Sequence, residues 1–272
     1  MGTNLKYLYF SDGESRYESG LYTLTFGMMN ETIFERETKL FEAWSKKRVG
    51  FSPDGIIDET SYRDSKLKIL FLMKEVNSKI GLNLKDHLRN GGRSQTWNNI
   101  AKWVFGIRNL NQEIEWTELE KIKTKEQRQE LFKSICIINL KKSPGSYTTD
   151  NNELRKIAEE DKEFLNKQFQ IYFESPTTRP DIIISCGSAT SNTFNKKVDI
   201  PNKINKKMTS RGVGYYEYEK GQFFIYYSHP EARVQDSLLY YGLIDAIKEL
   251  TCNRQANLPI TTKPSFTAYP PQ

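Results

Sequence analysis

Three side chains able to do acid–base or hydrogen-bond chemistry stand at the ends of short apolar runs. Glu75 follows LKILFLM, Asn139 follows ICII, and His229 follows FFIYYS. A carboxylate can take a proton or face a developing cation, and histidine is the commonest acid–base group near neutral pH. An Asn amide offers one acceptor and two donors, which suits the polar edge of a ligand. A fourth apolar run, DIIISCG, leads into SATSN and places Ser188 at a similar junction. Each residue also has a plainer reading. Glu75 could pair with Lys74 or Lys79, Asn139 could satisfy loop backbone, and His229 could bond backbone near Pro230. The second of the two histidines, His87, sits in KDHLRN and reads as a surface or capping residue.

Apolar runs of this length, rich in Ile and Phe, fit strands buried on both faces. In open α/β sheets, ligands bind just beyond the carboxyl ends of such strands, so Glu75, Asn139 and His229 are expected to share one crevice. Helical patterns alternate with the runs. They cover SQTWNNIAKWVFGI, Thr124 to Phe132, Asn152 to Glu174, and Ser237 to Leu250. Alternation of this kind predicts a three-layer α/β/α fold around a central, four-stranded, mainly parallel sheet. Residues 1–66 read as a helical N-terminal extension packed on the core, with an amphipathic helix over roughly Glu31 to Lys47. The Pro-Asp-Gly that follows it reads as a turn. Residues 67–250 form the α/β domain, and 251–272 an irregular, Pro- and Thr-rich tail.

Bulk properties narrow the classes. No segment of the 272 residues approaches the ~20 apolar residues of a membrane span, and the N-terminus lacks a secretory stretch, so a cytoplasmic location is expected. The three cysteines are far apart, without CxxC spacing, which argues against a disulfide framework, a zinc site or an iron–sulfur cluster. GxxxxGK[ST] and GxSxG are both absent, against a P-loop NTPase and a serine hydrolase. The net charge of +6 is compatible with a polyanionic partner. Lys196 to Arg211 carries six cations against Asp199 alone; it reads as a solvated loop or as a contact to DNA phosphates.

Taken in order, these motifs resemble the uracil-DNA glycosylase superfamily over roughly Lys66 to Leu250. Met73-Lys74-Glu75-Val76-Asn77 corresponds to the family loop that handles the catalytic water, although Met73 and Val76 replace its usual Gly and Pro. Asn139-Leu140-Lys141-Lys142-Ser143-Pro144 is similar to the family strand end that reads the base. Asp181 to Gly187 resembles the third strand, and His229-Pro230-Glu231 the family His-Pro-Ser. The resemblance implies a monofunctional DNA glycosylase that needs no metal or cofactor, acts as a monomer, and flips its target base out of DNA. Glu75 and His229 would be catalytic. Asn139, Asn77 and Lys141 would bind the base, while Arg93, Lys142, Ser188 and Arg233 would contact DNA. In the uracil-specific branch an aromatic residue crowds the pyrimidine C5 position. Asn77 stands at that place here, which implies room for a C5-modified cytosine, hydroxymethylated or glycosylated as in phage DNA, and hence a defence role. Two other readings stay open: a catalytically silent nucleic-acid-binding module on the same fold, and a hydrolase of free nucleosides.

Overall fold

The computed structural model describes residues 31–77, 80–145, 150–201, 203 and 205–256. The first thirty residues of the expected extension, Ser78 and Lys79, and the tail beyond 256 lie outside the described residues. In chain order the elements are α1 (Ile33–Ser45), β1 (Gly55–Ile56), α2 (Glu59–Asp64), β2 (Ile69–Met73), α3 (Leu84–Arg89), α4 (Ser94–Arg108), α5 (Trp116–Leu119), α6 (Lys125–Lys133), β3 (Ile135–Asn139), α7 (Asn151–Glu160), α8 (Lys162–Phe173), β4 (Ile182–Cys186), α9 (Ser188–Lys197), β5 (Lys207–Met208), β6 (Gly214–Glu219), β7 (Gln222–Tyr227) and α10 (Asp236–Ala256).

The four expected strands are β2, β3, β4 and β7, and they pair in parallel. The sheet is nevertheless larger than four strands. Its order is β1-β3-β2-β4-β7-β6-β5, with antiparallel strands added at both edges. Every residue of β2, β3 and β4 is buried, as expected for strands covered on both sides. Alternate side chains enter different layers. Ile69, Phe71 and Met73 pack with α4 and α10 through Trp103, Leu243 and Ile247. Leu70 and Leu72 pack with α1, α8 and α9 through Trp44, Phe169 and Phe194.

The register levels the strand ends. Met73 lies opposite Asn139, and Cys186 opposite Tyr227. β2 leads to β3 on one side and the chain then returns to β4 on the other, which opens a crevice at the β2 and β4 ends. Several boundaries differ from expectation. Asn152 to Glu174 is two helices broken at Asp161, whose carboxylate takes a two-pronged bond from Arg48. The last helix runs past Leu250 to Ala256. In the basic stretch from Lys196, Lys197 ion-pairs with Glu159, Arg211 lies 3.5 Å from Asp245, and Lys207–Met208 forms β5.

Residues 31–66 are built into the layers. A Thr32–Glu35 capping box starts α1, an arrangement worth roughly 1 kcal/mol. Trp44 of α1 stacks on Phe164 at 5.3 Å. β1 extends the sheet against β3. Gly55 opens β1 with φ of 119°, and a Cβ there would collide with the Glu37 carboxylate and the Tyr172 hydroxyl.

Candidate functional site

The strand ends open into a cleft of ≈ 240 Å³. Met73, Val76, Leu82, Leu84 and Trp97 give it apolar walls, and Glu75, Asn77, Asn139 and His229 supply polar groups from three separate strand ends. Arg93, Thr96, His87 and Glu231 complete the lining from α3, α4 and the turn after β7. Five of the nine residues singled out from sequence, namely Glu75, Asn77, Asn139, His229 and Arg93, thus share one cavity.

Glu75 is held by the loop after β3, which hydrogen-bonds along the loop after β2. Lys141 N donates to Lys74 O at 2.9 Å, and Gly145 N to Val76 O at 2.9 Å. A side chain at Gly145 would overlap the Glu75 carboxylate, so glycine lets the two loops close. Lys141 Nζ donates to Glu75 Oε2 at 2.7 Å and also reaches Glu153 Oε1 at 3.1 Å. Burial works to lower the Lys141 pKa, but the bonds to Glu75 and Glu153 outweigh it and leave it raised. Lys141 therefore lies behind Glu75 rather than on the cleft surface. Its expected direct contact with a base is replaced by a contact to the carboxylate.

His229 is fixed through one ring nitrogen. Glu231 N donates to Nδ1 at 3.1 Å, which makes Nδ1 the acceptor and assigns the ring proton of the neutral form to Nε2. Burial, opposed by Glu231 and aided by Lys74, lowers the His229 pKa below the usual 6.5. The ring is therefore neutral near pH 7 and keeps a donor available. α4 holds the turn that carries it: Asn99 Nδ2 donates to Pro230 O at 2.8 Å and to Asp236 Oδ1 at 2.9 Å. Thr96 Oγ1 bonds the Glu231 carboxylate.

Asn139 is buried at the end of β3. Its backbone N–H donates to Asp54 Oδ2 at 2.7 Å, and its Nδ2 approaches the same oxygen at 3.4 Å. Asp54 Oδ1 accepts from Lys142 Nζ at 2.5 Å and from Gln168 Nε2 at 2.9 Å. Asp54 and Lys142 are both completely buried. This corrects the expectation that Lys142 contacts DNA, since no part of its side chain is on the surface. Burial lowers the Lys142 pKa against the pull of Asp54. A second buried pair lies alongside, Glu37 with Lys85 at 2.5 Å, and Tyr172 links the two by bonding Glu37 and Gln168.

The remaining expected residues lie outside the cleft. Ser188 is exposed at the start of α9, in a neighbouring groove that meets the cleft at His229. Arg233 is exposed two residues beyond Glu231 and lines neither cavity. Sequence reasoning set His87 aside, yet it lines the cleft, with its pKa lowered by burial and by Arg93. It also missed Asp54, whose Pro-Asp-Gly context signalled only a turn. Cys136 and Cys186 are buried free thiols with raised pKa values, the first cause being burial. Among the described residues no His, Cys, Asp or Glu cluster is arranged to hold a metal, and no helix is long and apolar enough to cross a membrane. No protein-family model matches the chain, and no curated protein matches it significantly.

Proposed function

We propose that the chain is a DNA glycosylase that hydrolyses the N-glycosidic bond of a flipped-out pyrimidine. The observation that carries this reading is the convergence of Glu75, Asn139 and His229 in one partly apolar cleft at the ends of parallel strands. Asn139 reads the polar edge of the base through its amide. As the bond between C1′ and the base nitrogen breaks, its electron pair stays with the base and positive charge develops on the sugar. Glu75 faces that cation, orients the water that adds to C1′ and takes its proton, while the departing base anion is protonated from solvent. The neutral His229 donates from Nε2 to the base oxygen where negative charge gathers. Arg93, exposed at the cleft, and Ser188, in the adjoining groove, contact backbone phosphates.

Asn77 is exposed on the cleft lining and presents a small polar group in place of an aromatic wall. This supports a pyrimidine enlarged at C5, such as hydroxymethylated or glycosylated cytosine, as the substrate. One feature favours a second reading, DNA binding without chemistry: Lys141 already occupies one oxygen of Glu75. Free base released from DNAs bearing natural and modified pyrimidines, measured by mass spectrometry, tests both. Release from modified-cytosine DNA is the expected result. Brisk release of uracil with modified cytosine ignored removes the enlarged-pocket reading. Tight DNA binding without release of any base establishes the silent module.

A further inference from the structure

We infer that Asp54 is a positioning residue that locks the orientation of the Asn139 amide, and thereby sets which donor–acceptor order the cleft accepts on a base. The inference rests on the base-reading role proposed for Asn139. Its physical basis is the asymmetry of the two partners. A carboxylate only accepts hydrogen bonds, whereas the two ends of an amide differ, one donating and one accepting. Asp54 Oδ2 is held next to Asn139 by the backbone N–H at 2.7 Å, so it stays put whichever way the amide turns. With Nδ2 toward that oxygen, at 3.4 Å, the contact is attractive. Turned over, Asn139 would set its own Oδ1 against a carboxylate in a site closed to water, which is repulsive.

Asp54 cannot move aside to allow the flip. Its other oxygen is anchored by Lys142 at 2.5 Å and by Gln168 at 2.9 Å. One Nδ2 hydrogen of Asn139 is therefore committed to Asp54. Oδ1 and the second Nδ2 hydrogen remain for the cleft in a fixed order. Uracil-type and cytosine-type pyrimidines present opposite orders along this edge: a donor at N3 beside an acceptor at O4, against an acceptor at N3 beside a donor at N4. A locked amide matches one of them in a given pose; a freely turning amide matches both.

Two measurements test this. In the wild-type protein, NMR of the Asn139 side-chain amide should show one Nδ2 proton exchanging with solvent at least about tenfold more slowly than the other, as expected for one closed hydrogen bond. Equal exchange overturns the lock, whether or not the protein is an enzyme. The double variant Asp54→Ser/Lys142→Met removes both buried charges together and replaces an acceptor-only group with a hydroxyl that also donates. Its ratio of base release from uracil-type and cytosine-type DNA should move toward unity by about tenfold or more, a change of one order of magnitude in relative transition-state binding. Equal slowing on both DNAs overturns the specificity role and leaves Asp54 purely structural. Absence of base release by the wild type would instead remove the glycosylase reading, with the amide exchange still deciding the lock.

Discussion

Lys141 and Lys142 are neighbours in the chain, yet each serves a different carboxylate on a different side of the β3 end. Lys142 meets Asp54 with both side chains sealed from solvent, while Lys141 meets Glu75, whose carboxylate also lines the cleft. The pairing chemistry is the same in both. What differs is the other side of the acid: Asp54 faces only protein donors, whereas Glu75 faces a cavity. A buried pair is costly to break but weak evidence of function. A pair at a cavity wall holds a carboxylate where a ligand can reach it.

This contrast can be broken most severely at Glu75. Glu75→Gln should lower base release by about 10²- to 10⁴-fold, the range expected of a positioned acid–base group, and lower the melting temperature less than loss of Lys142 does, because Lys141 keeps Glu153 as an ion partner. Single-turnover release and a thermal melt read both sides of that expectation. Lys142→Ala should do the reverse and cost about 3–5 kcal/mol of stability in urea unfolding, because Asp54 is left buried without its ion partner. A loss below about 1 kcal/mol would mean that the sealed pair is not a structural fixture.

His229 sharpens the contrast through pH. Because burial lowers its pKa, the neutral donor persists below pH 6.5, and the acid limb of the rate profile should lie below that value. His229→Gln should remove this limb and lower the rate by about 10²- to 10³-fold. The unfolded chain takes up this proton more readily than the fold does. The stability contributed at His229 should therefore decline as pH falls from 6.5 toward the lowered pKa, and be level above 6.5. The smallest expected effect is at Arg93. Arg93→Ala should weaken DNA binding evenly across sequences and reduce the salt slope by about 1, measured by binding titrations at several salt concentrations.

The central strands were legible because ILFLM, ICII and III are unbroken apolar runs that need no partner to announce themselves. Their strand-end rule brought Glu75, Asn139 and His229 to one cleft without reference to any tertiary contact. β6 was missed although GYYEYE alternates, burying Tyr216 and Tyr218 and exposing Glu217 and Glu219. The basic stretch before it drew attention to charge instead of period. β1 and β5 have two residues each and carry no periodicity to detect. Lys142 and Asp54 were misjudged for a different reason. A lysine beside a strand end reads as solvated until its acid is known, and that acid lies 88 residues away. Local sequence cannot signal a pairing over such a distance.

That separation also has a consequence in time. Asp54 finds Gln168 only 114 residues later in the chain, and Glu37 finds Tyr172 after 135. At about 5–20 residues per second, synthesis leaves Asp54 waiting roughly 6–23 s for its last partner. Until then α1 lacks the α8 surface it packs on, and the indole of Trp44 has Phe51 beside it but not Phe164, on which it stacks in the finished fold. The nascent chain thus carries the apolar face of α1, with Ile33 and Trp44, unpaired with its α8 partner for that interval.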